Sequence, residues 1–156
     1  MSRWWRQSAE AAAVEAEFGP TIDGDEPTDV FVVEHDGEPI GMVQRYRLSD
    51  YPEYQQALAE SASPLNAAAF DYLIGVEALI GQGIGTQIIR QLVDDTWVRY
   101  PDLSSIVVSV QQGNRRSWRV LEKAGFRRTW AGTIDSGDPS DEGPAFVYVC
   151  GRPSPA

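Results

Sequence analysis

The chain contains one cysteine, Cys150, and one histidine, His35. A single thiol forms no internal disulfide, which fits a reducing compartment. Cys150 stands in a C-terminal apolar run, where a buried structural thiol is the expectation rather than a nucleophile. One histidine cannot anchor a histidine-rich metal site, and no metal-ligand spacing occurs, so no metal is expected. No apolar run approaches the ~20 residues of a membrane helix, and residues 1–10 hold no apolar signal-peptide core. A cytoplasmic protein with no membrane partner is the default reading. Basic residues are also scarce, 13 Lys and Arg against 23 Asp and Glu, for a formal net charge of −10. That balance argues against a nucleic acid, whose phosphates it repels. It suits a small cationic amine, which an acidic cleft concentrates. Solubility alone also accounts for the charge, so it points to a site only where carboxylates cluster beside one.

At 156 residues and 42% hydrophobic content, the chain is long enough for one domain with a sizeable core. We expect a single domain over residues 1–156, with 152–156 as a frayed tail. Residues 8–18 read as a helix stopped by Gly19-Pro20, and an acidic loop follows to residue 28. Residues 30–34 and 40–46 read as strands, and Asp36-Gly37 between them is a hairpin signal that leaves His35 exposed at the turn. Residues 50–63 hold either a short helix, with Asp50 as cap and Glu53 in the capping box, or an irregular flap. Residues 67–76 read as a buried central strand. Ile84, Ile88, Ile89, Leu92, Val93 and Trp97 recur at helical spacing until Pro101. A strand over 106–110, a helix over 114–124 closed by Gly125, and an antiparallel pair over 126–134 and 145–150 complete the pattern. There is no internal repeat and no linker. Strands with interposed helices make an α/β or α+β sheet. The oligomeric state is open between monomer and homodimer.

Two segments carry chemistry. The first is Ile80-Gly81-Gln82-Gly83-Ile84-Gly85-Thr86, between an apolar run and an amphipathic helix. Glycines let the backbone approach a ligand closely, and amides at the head of the next helix bind a pyrophosphate with help from the helix dipole. The dinucleotide pattern fails because Thr86 follows Gly85, and the P-loop fails because no Gly-Lys-Ser/Thr occurs. A tight turn without a ligand is the bland alternative. The second segment runs from Asn114 to Phe126 and reads as a helix closed by glycine.

In this order the two segments resemble the acyl-CoA-binding core of the GNAT acetyltransferases. Over residues 4–149 the chain resembles their aminoglycoside 6′-N-acetyltransferases. Trp4-Trp5, Gly37-Glu38-Pro39-Ile40-Gly41, Gln44-Arg45-Tyr46, Phe70-Asp71-Tyr72-Leu73-Ile74, Glu122-Lys123-Ala124-Gly125-Phe126 and Gly143-Pro144-Ala145 carry the likeness. It implies a mixed, mostly antiparallel sheet flanked by helices, acetyl-CoA as acyl donor, and a cationic amine as acceptor. It assigns the pyrophosphate to Gly81, Gln82, Gly83, Ile84, Gly85 and Thr86, and the pantetheine to Leu73, Ile74, Gly75, Asn114 and Ser117. Asn114 also reads as a plain helix N-cap. Leu73 supplies the main-chain oxyanion donor on this reading, and Asp71 is the base or anchor for the amine. A charge within such an apolar strand is uncommon unless paired. An isolated Asp titrates near ~3.9, and burial would raise it toward a useful base. Acidic substrate contacts map best onto Glu142, with Asp141 adjacent, and then onto Asp50. Trp5, Gln44 and Tyr46 line the acceptor cleft. The acidic run 135–142 also reads as a solubilising loop.

Three departures stand out. Ile80 occupies a position where Arg or Gln is usual. Only three residues precede Trp4, so the family's usual first strand and helix are expected to be missing. Leu121 stands where many members have a tyrosine that protonates the departing thiolate. Siderophore-type lysine N-acyltransferases share much of the pattern, and a non-catalytic CoA- or drug-binding protein is the reading from another class.

Overall fold

A computed structural model describes residues 11–155 except 62, 65 and 80. Strands β1 (Thr28–His35) and β2 (Glu38–Arg47) form the expected hairpin. Asp36 and Gly37 both take positive φ, 51° and 78°, the requirement of the tight turn whose twist matches two antiparallel strands. Four further strands, β3 (Ala67–Ile74), β4 (Ser105–Gln111), β5 (Arg127–Thr133) and β6 (Pro144–Gly151), complete a six-stranded sheet in the order β1-β2-β3-β4-β6-β5. Every neighbouring pair is antiparallel except β3–β4. Helices are α1 (Ala11–Ile22), α2 (Pro52–Ala57), α3 (Ile84–Arg99) and α4 (Arg115–Lys123).

Strand alternation splits the core in two. Ala68, Phe70 and Val108 point to one face and pack with Ile89, Leu92 and Val93 of α3 and Leu121 of α4. Ala67, Ala69 and Val107 point to the other face and pack with Tyr46, Leu48, Leu58 and Val147. The two central strands are thus buried on both sides, while the α3–α4 side and the α2 side have different chemistry. Among the described residues no helix is long and apolar enough to cross a membrane.

The fold departs from the sequence reading at both ends of the chain and in the segment after β2. Helix α1 does not stop at Gly19-Pro20 but runs on to Ile22. Gly19 has no Cβ to clash with the proline ring, so the residue before proline stays helical. The chain turns out only at Gly24, with φ 82°. Asp50 caps nothing: it ends a 3-10 turn (Leu48–Asp50), and α2 starts at Pro52 behind Tyr51. Proline suits the first helical position because its missing N–H would have no partner there. Cys150, expected buried, is half-buried at the edge of the α3–α4 core, and burial pushes its thiol pKa up. Arg152 is not part of a frayed tail. Its main-chain N–H donates to Ser104 O at 2.8 Å, and its guanidinium donates to Tyr100 O at 2.6 Å and Leu103 O at 2.8 Å, closing the end of α3.

Candidate active site

The sheet opens in its middle. β3 and β4 pair at only three positions, Ala67↔Ser105, Ala68↔Ile106 and Ala69↔Val107, and then part. Main-chain groups of a strand alternate between its two neighbours. Gly75 N–H donates to Ile40 O at 2.7 Å, and Asn66 O accepts from Ser104 N–H at 3.3 Å. Odd residues of β3 therefore turn to β2, and even residues turn to β4. Tyr72 and Ile74 present their main-chain groups to the opening. Leu73, the expected oxyanion donor, pairs with Met42 across the β2 ladder, and it is Ile74 that turns its main-chain groups to the opening. On the far side, Gln112 N–H donates to Pro144 O at 2.9 Å, so Ser109 and Gln111 are the β4 residues that face the opening.

The glycine turn lies at one end of this opening. Gly81 and Gly83 have φ of 86° and 78°, and a Cβ at either would meet nothing within 4 Å. The turn needs their backbone freedom rather than their small size. Gly85 does a different job: a Cβ there would lie 3.4 Å from Ile74 Cδ1 and Val120 Cγ2, so glycine lets α3 sit close to β3 and α4. Gly83 caps α3 without a side chain, and the first intrahelical donor is Gln87 N–H to Gly83 O at 3.2 Å. The amides of 84–86 therefore lie ahead of any intrahelical partner. Gln82 turns back, with Nε2 donating to Ala78 O at 2.8 Å, and neither its side chain nor that of Ile84 lines the cleft. Asn114 is a cap: its Oδ1 accepts from Ser117 N–H at 3.3 Å. Sequence reasoning missed the row Arg115, Arg119 and Lys123, one helical turn apart along α4, which lines the cleft with Arg116. The i, i+4 spacing of these three cations is present in the sequence.

On the opposite face of the sheet lies Asp71. Its register partner Gln44 donates from Nε2 to Asp71 Oδ2 at 2.9 Å, and Tyr46 hydrogen-bonds to the same carboxylate. Burial raises the Asp71 pKa to about 6. The Gln44 bond opposes that rise, and the charges of Asp141 and Asp138 add to it. Burial, then the Asp71 charge, likewise pushes Tyr46 well above its ordinary value. Asp141 accepts from Ser136 Oγ at 2.5 Å, and burial raises its pKa. Glu142, the preferred acidic contact, is exposed outside the cleft wall, because the 3-10 turn Pro139–Asp141 swings Asp141 inward instead. Asp50 lines the outer cleft, and Trp5 lies outside the described residues. Tyr51 and Tyr54 of the unsettled 50–63 segment were also missed. Their rings meet Tyr46 edge-on at 4.8 and 6.4 Å, and Tyr54 Oη pairs with Ser109 Oγ at 2.8 Å.

Both halves belong to one cleft of about 1520 Å³. Its α4 side is cationic and its Asp71 side is anionic, and the β3–β4 opening joins them. The acetyltransferase (GNAT) domain family matches residues 1–134. The chain belongs to that family. This GNAT protein is 29% identical over 150 residues to aminoglycoside N(6′)-acetyltransferase type 1 of Klebsiella pneumoniae and of Serratia marcescens, covering 94% of this chain and 69% of each relative. Among solved structures it resembles aminoglycoside acetyltransferase AAC(6′)-Ib in complex with coenzyme A and kanamycin, with a TM-score of 0.76, 27% identity, and coverage of 95% of this chain and 80% of that one. A complex of AAC(6′)-Ib with paromomycin and acetyl-CoA gives 0.72 at 28% identity, over 90% and 74%. Spermidine N-acetyltransferase SpeG from Vibrio cholerae, at 18% identity and a TM-score of 0.65 over 97% and 81%, shares the fold. The mixed sheet flanked by helices is that of the GNAT family, and the chain is an N-acetyltransferase.

Proposed function

We propose that this protein is a single-domain cytoplasmic enzyme that transfers the acetyl group of acetyl-CoA to a primary amine of an aminoglycoside-like polycation. The observation that carries the reading is the bipolar cleft. A cationic helix edge and an anionic pocket meet at an opening in the sheet, with Asp71 at the junction. An anionic acyl donor and a cationic acceptor each find a complementary wall, and their reacting groups meet between the walls.

The residues fit the donor. Amides 84–86 and the positive-φ turn suit a pyrophosphate, and Arg115, Arg116, Arg119 and Lys123 suit its remaining phosphate. Main-chain groups of Tyr72, Ile74 and Ser109, with the N–H of Gln111, whose carbonyl accepts from Asn114 N–H at 2.9 Å, suit the amides of a pantetheine arm. Ile74 N–H then serves as the donor to the carbonyl oxygen, which acquires charge in the transition state. An ammonium has no lone pair and must lose a proton before attack. Asp71 holds the ammonium and accepts that proton, directly or through water. With a pKa of about 6 it is a better base than an ordinary Asp by about two units, worth about 3 kcal/mol in proton affinity. Gln44 and Tyr46 fix its orientation. Asp141, Asp138 and Asp50 hold further ammonium groups of the acceptor, and the three tyrosines form its apolar wall. Leu121 is fully buried and offers no proton.

The test is release of free thiol from acetyl-CoA in the presence of kanamycin, with the acetylated product identified by mass. We expect turnover in the wild type and a loss of about 10²-fold or more in kcat/KM for Asp71→Asn. A folded wild type that binds CoA yet releases no thiol with kanamycin, spermidine or hydroxylysine would overturn the proposal.

A further inference from the structure

Cleavage of a thioester leaves charge on sulfur, and a positioned O–H stabilises that charge and supplies the proton. Leu121 is buried in the α3–α4 core and gives nothing. Another hydroxyl group occupies the donor side of the cleft. Tyr72 reaches from β3 to the first turn of α4, where its Oη lies 2.5 Å from Ser117 Oγ and 3.4 Å from Ser117 O. Both residues line the cleft. Tyr72 follows Asp71 in the strand, so the two side chains leave opposite faces of the sheet. The carboxylate faces the amine pocket and the phenol faces the cationic α4 side. The bond being broken lies between these two sides on the proposed reading.

We infer that Tyr72, hydrogen-bonded to Ser117, is the catalytic proton donor to the departing thiolate. The inference rests on the acetyl-transfer reading above. Once Asp71 has passed the ammonium proton on to water, the amine nitrogen attacks the thioester carbonyl and forms the C–N bond, and the nitrogen's second proton then passes to Asp71. The C–S bond breaks, its electron pair goes to sulfur, and the Tyr72 O–H gives sulfur a proton. The phenolate regains a proton from water through Ser117 Oγ, and Asp71 returns its own to water. The net products are an amide and a free thiol. Burial holds the Tyr72 pKa well above its ordinary value, with the Ser117 bond opposing that rise, so the phenol keeps its proton where amines are nucleophilic.

The experiment uses the full chain with acetyl-CoA and kanamycin. Wild-type turnover is established first, since its absence would count against the transfer reading and not against Tyr72. For Tyr72→Phe we expect kcat to fall about 10²-fold. CoA affinity by calorimetry should stay within about threefold, and the loss in kcat should be the same at every pH where the wild type is active, because the raised Tyr72 pKa keeps the phenol protonated throughout. Ser117→Ala should lower kcat less. A multiply fluorinated tyrosine at position 72, which keeps the shape but strongly acidifies the phenol, should bring into range an alkaline fall in kcat that the wild type lacks. An unchanged kcat in Tyr72→Phe, or a fall in kcat that only tracks lost CoA affinity, would overturn the assignment. A fluorotyrosine protein with the wild-type profile would do the same.

Discussion

On the proposed mechanism Asp71 links function to stability, and Asp71→Asn separates the two. In the folded protein the carboxyl titrates at about 6, against an ordinary 3.8. Between those values the folded state holds a proton that the unfolded chain has lost. Stability therefore falls as pH rises through that window and levels off above it. A shift of about two units at 1.36 kcal/mol each amounts to about 3 kcal/mol of strain carried at neutral pH. Asparagine removes the charge and keeps an acceptor for Gln44 Nε2, which now bonds at 2.9 Å. We expect Asp71→Asn to be more stable than the wild type by about 3 kcal/mol at pH 8 and by only ~1 kcal/mol at pH 4.5. For a chain of this size the pH 8 gain corresponds to a rise of about 6–12 °C in Tm. Calorimetric melts of both proteins across pH 4.5–8 measure the difference, and subtraction cancels every other titrating group. A variant equal to or less stable than the wild type at pH 8 would show that the carboxylate is already well solvated or paired. The account of Asp71 as a tuned base would then fail.

Two further substitutions probe the scaffold. A Cβ at Gly41 would fall 2.2 Å from Leu73 O and 3.1 Å from Ile74 Cα, both main-chain atoms. Gly41→Ala must therefore push β3 toward the opening by most of an ångström, and we expect kcat/KM for acetyl-CoA to drop about 10²-fold; steady-state kinetics within threefold of wild type would refute this. Arg45 is buried, donates to Asp29 Oδ2 at 2.9 Å and Asp95 Oδ2 at 2.5 Å, and stacks over Phe31 and Tyr100. It ties β2 to β1 and α3 away from the cleft, so Arg45→Ala should cost about 3 kcal/mol in urea unfolding and leave kcat/KM of the folded enzyme unchanged.

The legible parts of the fold were those set by local chemistry. Asp36-Gly37 fixed a hairpin because that pair tolerates two positive φ angles. The Ile84–Trp97 pattern gave α3, and Asn114 with Gly125 bracketed α4. The errors arose where a distant contact decides. Whether Leu73 or Ile74 faces the opening depends on where the β2 ladder starts, and no residue type encodes that parity. Asp141 and Glu142 are chemically alike, and only the turn at Pro139 selects the former. Pro20 looked like a stop signal because that rule is local, whereas the glycine before it relaxes the clash. Tyr51 and Tyr54 were invisible as site residues because nothing near 50–63 shows that α2 folds back over Ser109.

The opening and its polarity have a common origin in how the strands are shared. β3 is held by β2 over seven pairs and β4 by β6 over seven, yet β3 and β4 hold each other over three. Each strand is anchored on its outer side, so parting on the inner side sacrifices only a few rungs and leaves main-chain groups that need partners. On the proposed reading, a linear molecule with amide groups takes the place of water at those groups. Charge is then distributed by face. The helix side acquires Arg115, Arg119 and Lys123 because α4 packs its apolar residues inward and its basic row borders the gap. The opposite side acquires Asp71 from β3 and Asp138 and Asp141 from the β5–β6 connection. Salt confines such fields to about 10 Å at 0.1 M. Each wall therefore acts on the ligand that touches it, and a net charge of −10 is no obstacle to a polyanionic donor. On the proposed reading, what the total charge does govern is the approach of a cationic amine, which a negative surface favours before the pocket is reached.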